Sequence, residues 1–226
     1  MTDAIPSDAR RVSVAPERLA RWVQGFAARH GSLFWSVGDE WVEVSGEDGS
    51  RAWFEVPFPP LPPTGKDSGN DCGYDTGDVA AALVEHAARS RRVGAILVRR
   101  GGYAAGVFQG SDLVSSKVGS SYVQGTTKAG GWSQQRFARR RDNQARAAFA
   151  AAADTALRIV LPQIGALDAV VTGGDRLGIE AVLADPRLAR LRALVSGPLL
   201  DVPDPRLRVL QQLPEQFRAV RIRIHP

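Results

Sequence analysis

Residues 119–146 read GSSYVQGTTKAGGWSQQRFARRRDNQAR. The stretch opens as a loop of small and hydroxyl residues with glycines at 119, 125, 130 and 131 around Lys128, and closes as a strongly basic helix start. The apolar spacing that follows it decides the second half of the fold. Ala145, Phe149, Ala152, Ala156 and Ile159 recur on one helical face, so a long helix is expected over about 134–160, ended by Pro162 and Gly165. Its first half has no such face. A packed core gives no use to a polar, glycine-rich tip on a basic stem, and the composition points to a negatively charged partner.

Working outward, strands are expected at 93–98, 103–109 and 112–121, joined by the turns Gly101-Gly102 and Gly110-Ser111. Beyond the long helix come a buried strand at 168–172, helices at 178–184 and from Pro186 to about 193, and a short strand at 194–196. A helix at 206–213 and a closing strand at 219–224 follow, the strand with Val220, Ile222 and Ile224 on one face. Hairpin strands, a long helix and then alternating strands and helices imply an α/β (α+β) fold, a mixed sheet covered by helices.

The amino-terminal part reads differently. Residues 1–15 are polar and expected to fray. Leu19, Trp22, Val23 and Phe26 lie at i, i+3, i+4 and i+7, so 16–30 is an amphipathic helix stopped by Gly31. Strands at 32–37, 40–45 and 51–56 form a small meander. Residues 57–77 are rich in Pro, Gly and Asp and read as a linker or surface loop. Asp67, Asn70, Asp71 and Asp75 there do not have the spacing of a calcium loop. Asp78 is expected to cap a helix over 79–90. The expected organisation is a small α/β unit at 1–60, a linker at 61–77 and a larger domain at 78–226.

With 29 Lys and Arg against 24 Asp and Glu, the net charge is only +5, and the run at 136–146 concentrates the excess. Cys72 is the one cysteine, which excludes an internal disulfide and a cysteine-built zinc site. No secretory signal or long apolar span is legible, so a cytoplasmic protein with no membrane contact, expected to be a monomer, is the reading. No metal or other cofactor is called for.

Arg136, Arg139 and Arg140 share one helix face by their i, i+3, i+4 spacing, with Arg141 and Arg146 nearby. Positive charge at the amino end of a helix opposes its dipole. An external polyanion relieves that cost, and guanidinium groups bind phosphate through paired hydrogen bonds. Lys128 and Trp132 belong to the same expected RNA contact, Trp132 as a ring on which a base stacks. Trp22, Trp35, Trp41 and Trp53 are expected in the core. Gln134 and Gln135 exchange no proton near neutral pH, but an amide can orient water and an N–H can stabilise an oxyanion. Gly130 and Gly131 beside them permit close approach. Read from spacing alone, the pair also fits a solvent-facing helix start. Gly173-Gly174-Asp175-Arg176-Leu177-Gly178 lacks the spacing of a phosphate loop and is expected to be a strand-to-helix turn capped by Asp175. His30, His86 and His225 are dispersed. Asp112, Asp142, Asp154, Asp168, Asp175 and Glu180 form a two-metal nuclease site only if the fold gathers them.

The run from Gly130 to Arg141 resembles the catalytic middle domain of the archaeal and eukaryotic class I release factors, in which a Gly-Gly-Gln loop precedes a helix beginning with a similar Arg-Phe-Ala-Arg. The order of strands, loop, long helix and the 169–174 strand is similar too, over about 92–224. The resemblance is closer to the Vms-like branch, peptidyl-tRNA hydrolases of ribosome rescue and quality control, and to its actinobacterial-type members with a Gly-x-x-Gln form of the loop. It implies a ribonuclease H-like fold with a protruding loop. It also implies entry into the peptidyl-transferase centre of the large subunit, contact with ribosomal RNA, and hydrolysis of the peptidyl-tRNA ester. A loop glutamine would position the water there. Anchoring on Arg136-Phe137-Ala138-Arg139 puts Trp132 at the glutamine position. Anchoring on Gly131-x-x-Gln puts Gln134 there, with Gln135 next. The codon-reading domain of the release factors is not recognisable in residues 1–60, nor are the zinc finger, ankyrin repeats and coiled coil of larger relatives. The expected function is codon-independent ribosome rescue. A metal-dependent ribonuclease acting on tRNA and a non-catalytic ribosome-binding factor are the rivals.

Overall fold

The structure, a computed structural model, describes residues 6, 8–38, 40–62, 76–120 and 133–226, with side chains of 76–77 and 133–142 outside the description. The chain forms two compact units, residues 1–89 with 217–226 and residues 90–216.

The first unit contains β1 (Arg10–Val14), α1 (Pro16–His30), β2 (Leu33–Val37), β3 (Trp41–Gly46), β4 (Arg51–Glu55), α2 (Thr76–Ala88) and the last strand of the chain, β9 (Val220–His225). The sheet order is β1-β9-β4-β3-β2, antiparallel throughout. Leu19 and Phe26 of α1 and Val79 and Leu83 of α2 pack with Val42, Val44, Phe54, Val220 and Ile222 in one core. Gly31 ends α1 with φ +77°, donating its N–H to the Ala27 carbonyl at 3.0 Å. The positive φ is what calls for glycine at this stop, since the nearest atom to an added Cβ is the movable Glu47 Oε2.

Five expectations need correction here. Residues 10–14 are a paired strand and not a frayed end, because Val12 and Val14 alternate onto the core and pair with Ile222 and Val220. Asp78 is not the cap of α2; the helix already starts at Thr76, and Asp78 lies in its first turn, where its charge suits the dipole. The closing strand, expected in the larger domain, completes the first sheet between β1 and β4. With α2 also in the first unit, the division departs from 1–60, 61–77 and 78–226. Finally, Trp41 is half-buried on the sheet face opposite the helices, with the Arg223 guanidinium 5.0 Å from its ring centroid.

The second unit contains β5 (Arg92–Arg99), β6 (Gly102–Gln109), β7 (Asp112–Ser120), α3 (Ser133–Ile159), β8 (Ala169–Gly174), α4 (Arg176–Leu183), α5 (Ala189–Arg192) and α6 (Leu207–Gln212), with 3-10 turns at Leu161–Ala166 and Pro186–Leu188. The order is β7-β6-β5-β8; β5 and β8 are parallel and the other pairs antiparallel, the expected mixed sheet. Residues 194–196 contribute a single bridge, Val195 to Val170. Ala152, Ala153 and Ala156 of α3, and Val160 just after it, meet Ile96, Val98, Ala105, Val107, Ile179 and Val182 in the core. Among the described residues, no helix is long and apolar enough to cross a membrane.

Candidate functional site

The strand registers identify one end of the second sheet. Val98 pairs in parallel with Gly174, Arg99 with Gly102, and Gly102 with Ser120. The carboxyl ends of β5, β7 and β8 therefore lie together. The connection from Ser120 to Ser133 leaves from that end, and in open α/β sheets ligands bind outside the strand carboxyl ends.

α3 runs back along the sheet, and its level is set by two close approaches. At the far end, a Cβ on Gly94 would lie 2.6 Å from Val160 Cγ1. At the near end, a Cβ on Gly178 would lie 2.9 Å from Val98 Cγ1 and 3.2 Å from Phe149 Cε1. Phe149 is thus level with the penultimate residue of β5. Residues 133–148 continue the helix beyond it for about 24 Å at 1.5 Å per residue. Among the described side chains, none from 143 to 148 is buried, and Arg146 is exposed. The other end is anchored. Ala156 is fully buried, and the buried Thr155 hydroxyl donates to the Ala151 carbonyl at 2.9 Å.

The candidate residues divide accordingly. Lys128, Gly130, Gly131 and Trp132 lie outside the described residues. Gln134, Gln135, Arg136, Arg139, Arg140 and Arg141 belong to the first turns of α3, where the backbone alone is described. Arg136, Arg139 and Arg140 precede the exposed Asn143, Arg146 and Ala147 by seven residues each, two helical turns. Asp67, Asn70, Asp71 and Asp75 are outside the description as well.

Around the rim of this end stand residues that the sequence did not single out. Arg99, at the end of β5, lies 3.7 Å from Asp175 and 4.0 Å from Asp201. Asp175 precedes α4 but makes no side-chain cap bond, so the expected cap is instead an ion-pair partner. The Tyr103 ring lies where a Cβ of Gly119 would be, immediately before the tip, and those two residues face each other across β6 and β7. Nothing in the local sequence marks these contacts, because each joins positions whose proximity depends on strand register.

The acidic candidates whose side chains are described are not gathered; the side chain of Asp142 lies outside the description. Asp168 accepts from the Arg92 N–H at 2.7 Å at the amino end of β5, and Asp112 opposes Gln109 at the same end. Asp154, on α3, pairs with Arg187 at 2.9 Å. Asp175 is at the opposite end of the sheet from Asp168. Among the described residues, no group of three His, Cys, Asp or Glu could hold a metal ion.

A family model described as Actinobacteria/chloroflexi VLRF1 release factor matches residues 91–223. No curated protein matches. Among solved structures, the crystal structure of an archaeal translation termination factor, aRF1, is similar at 16% identity and a TM-score of 0.40, covering 92% of this chain and 66% of that one. An archaeal protein is similar at 18% identity and a TM-score of 0.39, covering 77% of this chain and 51% of that one. The matched part is thus less than two thirds of the length of either structure.

Proposed function

This chain belongs to the Actinobacteria/chloroflexi VLRF1 release factor family, and from that premise we propose that it hydrolyses the peptidyl-tRNA ester on stalled ribosomes or large subunits without reading a codon. The observation that carries the proposal is the overhang of α3. A helix held to the sheet from Phe149 onward extends about 24 Å past it, and the extending turns hold Gln134, Gln135 and the arginines. A tip of that reach suits entry into a narrow site built by another molecule.

In the proposed reaction, the water oxygen attacks the ester carbonyl carbon. The tetrahedral intermediate collapses with loss of the tRNA 3′ oxygen, which takes up a proton as the peptide leaves with a carboxyl group. The protein's share is to orient the water and the oxyanion through the Gln134 amide, or that of Gln135, and neighbouring N–H groups. Gly130 and Gly131 let the backbone approach the ester. Lys128, Trp132, Arg136, Arg139, Arg140, Arg141 and Arg146 contact ribosomal RNA. A protein acting this way needs no general base of its own, in keeping with the dispersed histidines and carboxylates.

The test is incubation of stalled ribosome–nascent-chain complexes with wild type, Gln134→Ala, Gln135→Ala and Gly131→Ala, with peptide and tRNA resolved on a gel. Free peptide with intact tRNA is the expected product. Shortened tRNA that disappears with a chelator would establish the nuclease instead. Co-sedimentation with large subunits without either product would establish a non-catalytic factor.

A further inference from the structure

The first unit has a sheet face that the release reaction does not use. Both helices pack on the side of Val44, Phe54 and Ile222. The alternate residues of the same strands point the other way, and they bring together Arg11, Arg51, Arg221 and Arg223 against Glu43 and Glu55. Arg221 bonds Glu55 at 3.0 Å, and Arg51 lies 3.8 Å from Glu43. Arg11 and Arg223 have no carboxylate partner among the described residues, yet they are direct cross-strand neighbours on β1 and β9. Arg11 is exposed on the edge strand β1, and Arg223 turns its guanidinium the other way, over β4, so each is a separate contact for an anion.

Aromatic rings share this face. Trp53 pairs across the ladder with Glu43 on one side and Arg223 on the other. Arg223 reaches across β4 to stack on Trp41, its Cζ 5.0 Å from the ring centroid. Trp53 is only 2% exposed, and its indole N–H has no acceptor among the described residues. At 2% exposure that N–H is closed to a ligand, so Trp53 takes no direct part in binding. On the adjoining edge strand, Phe34 is 62% exposed on the same face.

We propose that this face of the first sheet binds single-stranded RNA. One phosphate would pair with Arg11 and another with Arg223. Bases would stack on Phe34 and on the Arg223–Trp41 pair. An unpaired strand supplies both phosphates and open base faces, whereas a duplex hides its base faces and an acidic peptide has no phosphates. The proposal does not depend on the release reaction.

The experiment uses the full chain carrying Arg136→Ala, Arg139→Ala, Arg140→Ala, Arg141→Ala and Arg146→Ala, so that the arginines of the α3 stem do not contribute. A fluorescein-labelled ten-nucleotide oligouridine is titrated and followed by anisotropy at several salt concentrations. Binding is expected to persist in this background. Adding Arg11→Gln with Arg223→Gln should weaken it roughly tenfold or more and reduce the salt slope by about 1.4, two phosphate contacts' worth. Phe34→Ala should weaken it several-fold with the slope unchanged, as loss of a stacked base requires. The glutamine pair should lower the melting temperature only slightly, by the loss of the Arg223–Trp41 contact, so that weaker binding is not a loss of fold. Binding that vanishes with the stem arginines alone would overturn the proposal and leave the release reaction standing. Equal affinity for a duplex, competition by polyglutamate as effective as by RNA, or an unchanged slope in the glutamine pair would overturn it too.

Discussion

The two stretches of α3 follow different rules. From Phe149 to Ile159 the helix is written for packing: Ala152, Ala153 and Ala156 are buried, small enough to bring the helix onto β5 and β6. From Ser133 to Ala148 the sequence carries glutamines and arginines where the packing stretch has alanines, and none of the described side chains there is buried. The anchored stretch fixes a platform, and the overhang is free to be shaped by what it contacts. A long helix need not be amphipathic along its whole length when only one end meets a core.

That contrast can be broken by equivalent substitutions at its two ends. Ala156→Asp places an unpaired charge in the core and should cost about 3 kcal/mol or more in denaturant unfolding. Ala147→Asp, on the overhang, should change stability by less than about 0.5 kcal/mol. Equal effects would mean that the overhang packs against something too. Gly178→Val tests the contact that sets the level of the helix. Its Cβ would press on Val98 and Phe149, and a loss of about 1–3 kcal/mol is expected in the same measurement. Loss of peptide release beyond the loss of folded protein would show that the helix level matters to the reaction.

The smallest effect belongs to the first unit. The His30 hydrogen bond at 2.8 Å, followed by the Ser50 N–H, holds the Asp48 carboxyl down to about 2. A carboxyl depressed on folding favours the folded state above its ordinary value of 3.8, and that contribution fades as pH falls from about 4 through 2. Asp48→Asn should flatten the melting temperature against pH across this window, slightly because the pair is solvent-exposed. An unaltered profile would assign no role to the pair.

Much of the fold was legible because its signals are local. The periodicity of Leu19, Trp22, Val23 and Phe26 marks α1, and the glycine turns mark the β5–β6–β7 hairpins. β1 was missed because a five-residue strand with two arginines at its start has only Val12 and Val14 to show, and its partner lies at the other end of the chain. Alternation in Val220, Ile222 and Ile224 identifies a strand with one apolar face but not the sheet it joins. The candidate residues of the tip could be named from their types and spacing. The overhang could not, since it depends on how closely Gly94 lets Val160 approach and Gly178 lets Phe149 approach.

The central claim is tested most directly by the rate of peptide release from stalled nascent-chain complexes with Gln134→Ala and Gln135→Ala, at saturating protein and with ribosome binding measured in parallel. One of the two should slow release by about 10²–10³-fold with binding intact, the loss expected when a group that orients water or oxyanion is removed. Release at the wild-type rate by both single variants and by the double variant would contradict the account.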